Sequence, residues 1–121
     1  MGDENLWVEG EMIDWKRVEE LREEIGSDDF AEVAGMFLEE ADETIAALGA
    51  GLAMGDVEGQ LHFLKGSALN LGLSDLAAVC QAGERQAAAG QGHLVDLSRV
   101  VAVYHASRSA FLGGLEQPSA A

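Results

Sequence analysis

The sequence predicts an all-α protein, an antiparallel four-helix bundle core with an extra N-terminal helix. Alanine and leucine dominate a chain that is 48% apolar but only 6% aromatic, and its β-branched residues are scattered rather than alternating. That composition favours packed helices over sheet. The apolar residues also recur at helical spacing along successive stretches of the chain. Most of the 15 glycines fall between those stretches, and the one proline, Pro118, lies beyond the last of them.

A chain of 121 residues most simply forms one domain. Residues 1–12 are expected to be a polar arm carrying Leu6, Trp7 and Val8, residues 13–112 the bundle, and residues 113–121 a flexible tail. Asp14 is placed to cap a first helix with Trp15, Val18, Leu21 and Ile25 on its apolar face, and Gly26 closes it. Ser27 is then expected to cap a long second helix, with Asp28 and Asp29 in the first turn, where the helix dipole favours negative charge. Phe30, Val33, Phe37, Ala41, Thr44, Ile45 and Leu48 keep its helical spacing up to the breaker-rich LGAGLAMGD.

Asp56 is expected to cap a third helix ending at Leu71, with Gly72 at the position that prefers a left-handed conformation. Ser74 is expected to cap a fourth, with Leu76, Ala77, Cys80, Gly83 and Ala87 on one face, and AAAGQG ends it. A fifth helix is predicted over about 93–112, from Leu94, Leu97, Val101, Tyr104, Arg108 and Phe111. Gly35, Gly59, Gly66 and Gly83 lie inside predicted helices, where each costs roughly 1 kcal/mol relative to alanine. Close helix packing or close approach by a partner would compensate.

A formal charge of −15 with only seven Lys and Arg residues, unclustered, opposes binding to nucleic acid or to an anionic membrane. Cys80 is alone, so no intramolecular disulfide forms and a reducing compartment is implied. The start, with Asp3 and Glu4, has no basic-then-apolar run, and no apolar stretch approaches the ~18 residues that span a bilayer. A soluble cytoplasmic protein is expected. His93, His105 and Cys80 make no ligand pair at helical spacing, so no metal site is predicted. Cys80 reads as a buried small hydrophobe.

The third helix carries the chemistry. With His62 at zero and about 100° per residue, Val57, Leu61, Leu64, Ala68 and Leu71 fall between about 180° and 260° and form the core stripe. His62, Gly66 at about 40° and Leu69 at about 340° share a face turned away from it, with Lys65 beside them at about 300°. A neutral ring nitrogen can attack phosphorus, and a lysine one turn along offers charge-assisted hydrogen bonds to a phosphoryl group. Gly66 clears room for a phosphate or a docking surface, and Leu69 leaves apolar surface suited to a protein partner.

The stretch HFLKGSALNLGL, residues 62–73, resembles the signature of the histidine-containing phosphotransfer (HPt) domain, roughly H-x-x-K-G-S-x-x-x-L-G. The likeness extends to IDWKRVEEL, DDFAEVAGMFLEEADETIAAL, GDVEGQLHFLKG and LSDLAAVCQAGE, covering about residues 13–90, with the last helix fitting by pattern only. The resemblance implies that His62 accepts a phosphoryl group from the aspartyl-phosphate of a receiver domain and passes it to another receiver. Lys65 would be the cation near that group and Gly66 the space-maker. Ser67, at about 140° on the wheel, matches the small hydroxyl position and would fix local structure. Asn70 and Gly72 match positions that shape the helix end. Glu84 occupies the place from which a polar side chain of the next helix reaches the other ring nitrogen and orients it. For partner docking the resemblance points to Leu21, Phe30 and Ala34, beside the Leu69 that the wheel exposes.

The resemblance further implies a monomer whose partners are response-regulator receiver domains and a hybrid sensor histidine kinase. The carrier would have no cofactor of its own, the catalytic acids and Mg²⁺ belonging to the receiver. No phosphate-binding glycine loop is present, so self-phosphorylation from ATP is not expected, and the chain reads as a carrier rather than an enzyme. Met1 and a full set of bundle helices favour a stand-alone chain. The alternatives are a scaffold that binds and inhibits a receiver or kinase without being phosphorylated, a dimeric phosphotransferase built on a kinase-like hairpin, and a purely structural bundle. Retention of His62 and Lys65 argues against the first, and the lack of length for an α/β segment against the second.

Overall fold

A computed structural model describes residues 12–50 and 57–116. Five α-helices follow in order: α1 Trp15–Ile25, α2 Ser27–Gly49, α3 Val57–Leu71, α4 Ser74–Gln86 and α5 Leu97–Glu116. A π-helical turn, Ala87–Gln91, and a 3₁₀ turn, Gly92–Leu94, connect α4 to α5. Helices α2 to α5 pack in a ring, each against the next and α5 back against α2, while α1 lies on α2 and α3. This is the all-α arrangement expected, a four-helix core with one added N-terminal helix. No helix of the described residues is long and apolar enough to cross a membrane. The expected arm and the Asp56 cap lie outside the described residues.

The helix boundaries follow from local chemistry, with departures from the sequence reading at the starts of α2 and α4 and at both ends of α5. Asp14 caps α1 by accepting from the Arg17 amide at 3.3 Å. Ser27 and Ser74, expected as caps, are instead the first residues of their helices. Gly26 and Leu73 hold the capping positions, and neither helix has a side-chain cap. The start of α4 is held by backbone instead: the Ser74 amide donates to Met12 O at 3.1 Å and the Asp14 amide to Gly72 O at 2.7 Å, around an antiparallel pairing of Ile13 with Leu73. Gly72 takes φ 83° as expected, and the Leu73 amide donates back to Ala68 O at 2.8 Å, closing α3 in a Schellman-type turn.

The last helix begins at Leu97 rather than near residue 93 and runs to Glu116, past the expected end at 112. Asp96 caps it, accepting from the Arg99 amide at 3.0 Å. Leu94, counted in the apolar stripe, therefore sits in the preceding turn and is exposed.

The core is aliphatic. Leu61, Leu64, Ala68 and Leu71 of α3 meet Leu76, Ala77 and Cys80 of α4, Leu38, Ala41, Ile45 and Leu48 of α2, and Val100, Tyr104 and Phe111 of α5. Each fully buried leucine stabilises the fold by roughly 2 kcal/mol. Tyr104 is buried whole, and its hydroxyl donates to an Asp42 carboxylate oxygen that Arg108 also approaches. Trp15 stacks on Phe111 at 6.2 Å between centroids and passes over Gly114, where an added Cβ would lie 2.2 Å from the indole.

That contact makes a prediction. Gly114→Ala gains about 1 kcal/mol of helix propensity but cannot share space with the indole, which is partly exposed and free to swing outward. The variant is expected to shift Trp15 fluorescence to the red with little change in melting temperature. An unshifted spectrum, read in a Trp7→Phe background, would contradict the packing.

Candidate functional site

His62 stands in the second turn of α3, on the face opposite the leucine stripe, as its angular position requires. Its side chain is 68% exposed. One turn on, Lys65 folds toward α4, and there Glu84 holds both residues. Glu84 Oε2 lies 2.7 Å from His62 Nδ1, and Oε1 lies 2.9 Å from Lys65 Nζ. Glu84 itself is only 18% exposed, so the carboxylate sits in the seam between the helices while the imidazole stands outside it.

The hydrogen bond from Lys65, and next that from His62, hold the Glu84 carboxyl below the ordinary carboxylate range, against a smaller opposing effect of burial. An ionised carboxylate only accepts, so Nδ1 is the donor in this pair. In the neutral ring the lone pair then resides on Nε2, which makes no protein hydrogen bond among the described residues. The arrangement is an exposed nitrogen nucleophile with its ring oriented from behind and an ammonium beside it.

The other sequence-predicted residues divide between the site and the core. Gly66 is exposed, and a Cβ there would meet nothing within 4 Å, so this side of the ring is open. Ser67 is buried against the protein. Leu69 is 58% exposed on the histidine face. Leu21, Phe30 and Ala34, expected on a docking patch, are corrected to core positions. Packing of α1 on α2 closes over them, with the Arg22 guanidinium 5.1 Å from the Phe30 ring centroid and the Phe111 ring, tilted to it, at 6.5 Å. Phe63 was missed. It is exposed beside His62 and lies outside the core arc on the same wheel, at about 100°, so the angular argument contained the signal.

Cys80 lies fully buried under the seam, and burial, with the Glu84 charge second, pushes its thiol up to about 12. It is expected to resist alkylation in the native protein and to react at once in denaturant; fast native modification would contradict its placement. Glu84 contributes stability that is fully present above the ordinary glutamate range and is lost as pH falls through its lowered value. Glu84→Gln should therefore reduce the difference in urea midpoint between neutral and acid pH, measured by circular dichroism. An undiminished difference would show the bridge to be without weight in the folded state.

Comparison with known proteins adds one finding. Residues 32–113, more than half of the chain, match the family model described as Hpt domain. The match omits α1 and the first turn of α2, and it takes in most of α5, where the sequence resemblance had rested on pattern alone. No curated protein and no solved structure matches the chain. The chain belongs to the Hpt domain family, the phosphocarriers of histidine phosphotransfer in two-component phosphorelays, which work with receiver domains and kinases.

Proposed function

We propose that this chain is a phosphorelay intermediate in which His62 accepts a phosphoryl group from the aspartyl-phosphate of one receiver domain and passes it to another. The observation that carries the reading is the His62–Glu84 contact of 2.7 Å on an otherwise exposed ring. With Nδ1 committed to the carboxylate, Nε2 is the nitrogen presented to a partner. Its lone pair attacks phosphorus, the bond from phosphorus to the aspartyl oxygen breaks, and the carboxylate leaves with the receiver. The ring then carries positive charge on the Nδ1–H side, which the adjacent Glu84 carboxylate stabilises, much as a carboxylate does behind a catalytic histidine elsewhere.

Lys65 has a second role in this reading. Its ammonium, held 2.9 Å from Glu84, is one helical turn from the nucleophile and offers a charge-assisted hydrogen bond to the incoming phosphoryl oxygens. Gly66 leaves the approach clear, and Leu69 with Phe63 supplies apolar surface for a receiver to cover. Mg²⁺ and the acids that bind it belong to the receiver. Catalysis by this chain is therefore positional: it holds one nucleophile on a rigid helix for a partner's site.

Incubation with a phosphorylated receiver and Mg²⁺ is expected to give acid-labile, base-stable label on the wild type and none on His62→Gln. Lys65→Ala should slow transfer by roughly ten-fold or more, because it removes a donor aimed at developing charge. Receivers that bind the chain without transferring phosphate would overturn the carrier reading and favour an inhibitory scaffold.

A further inference from the structure

Position 83 is buried in the last turn of α4, which runs on into the π-helical turn, so glycine there is disfavoured relative to alanine, and it immediately precedes Glu84. A Cβ there would lie 2.9 Å from Leu61 Cδ1 and 3.1 Å from Val95 Cγ1. Gly35 and Gly66, also inside helices, meet nothing within 4 Å. Gly83 is thus pressed from two directions. Leu61 belongs to α3, directly precedes His62 and is fully buried, and Val95 is brought back over α4 by the turns that follow it.

We propose that Gly83 is a positioning residue for the histidine: its missing side chain sets the separation of α3 and α4 at which Glu84 meets His62 and Lys65. The inference rests on the phosphorelay reading for its functional consequence and on packing alone for its geometry. Leu61 occupies the space that a side chain at position 83 would need. With that space filled, α4 must recede from α3 or the Leu61 side chain must shift within the core. A retreat of about an ångström would stretch the contacts of 2.7 and 2.9 Å beyond hydrogen-bond range. The ring would then lose the partner that keeps its proton on Nδ1.

The test is ¹⁵N NMR of the imidazole nitrogens in the full chain, with His62→Gln identifying the His62 signals among the three histidines. The wild type is expected to show a proton fixed on Nδ1, and Gly83→Ala a mixture of tautomers. Phosphoryl transfer from a phosphorylated receiver should fall on the order of ten-fold in that variant. Adding Leu61→Ala, which removes the overlapping atoms, should restore the ring signals and the rate toward those of Leu61→Ala alone.

A folded Gly83→Ala protein with wild-type ring signals would overturn the proposal, and so would failure of the second substitution to restore them. Should Gly83→Ala not fold, Gly83→Ala with Val95→Ala gives α4 room to move away from α3, and the same loss of the fixed tautomer is expected. Unchanged signals there would overturn it equally. The tautomer is read with no phosphoryl donor present, so a wild type that takes no phosphate would refute the relay while the ring signals still decided the role of Gly83.

Discussion

α3 and α4 are joined by only Gly72 and Leu73, and that turn fixes the relation of the two helices on which the site depends. Gly72 takes a left-handed backbone, and a Cβ there would also come 2.7 Å from Asp14 O, so the position is closed to a side chain twice over. The chain entering α1 pairs with the same turn through Met12, Ile13 and Asp14. One short segment therefore ends α3, starts α4 and ties down the N-terminal helix. At the other end of the pair, Gly83 lets Leu61 sit against the α4 backbone.

Between those two constraints the chemistry is small and local. A single carboxylate faces a ring nitrogen with one oxygen and an ammonium with the other. The carboxylate is withdrawn into the seam and the ring is left outside. This division separates the group that needs a fixed orientation from the group that must be reached by a partner. In a chain of charge −15, a lysine committed to the site also offsets the local negative field that an incoming phosphoryl group would meet. The apolar neighbours Leu69 and Phe63 stay exposed, while the leucines on the opposite face of α3 are sealed in the core.

The histidine face was legible because it depends on one helix only. Angular position separated His62, Gly66 and Leu69 from Leu61, Leu64, Ala68 and Leu71, and the same arithmetic placed Phe63 outside the core, although that residue was passed over. Leu21 and Phe30 lie on the apolar stripes that periodicity draws for α1 and α2, so the pattern within each helix pointed to the core; it was the family resemblance that set them, with Ala34, on a docking patch, and all three are buried. Ser27 and Ser74 looked like caps, yet backbone pairing with the chain before α1 holds the start of α4 without one. Nothing in the sequence pattern marks Asp42, and only the packing of α5 against α2 shows it receiving the buried Tyr104 hydroxyl.

The sequence by itself determined the class of fold, the order of the helices, the identity of the exposed histidine and the lysine one turn beyond it. These follow from periodicity, from glycine and acidic residues at helix ends, and from a motif within a dozen residues. The resemblance pointed to Glu84, 22 residues away, as a partner of the ring, but only the tertiary structure sets one of its oxygens against Nδ1 and the other against Lys65, and presses Leu61 of α3 against Gly83 of α4. The physical reason is range. Helical pattern fixes the direction of a side chain about its own axis, whereas the distance between two axes is set by the volumes that meet across them.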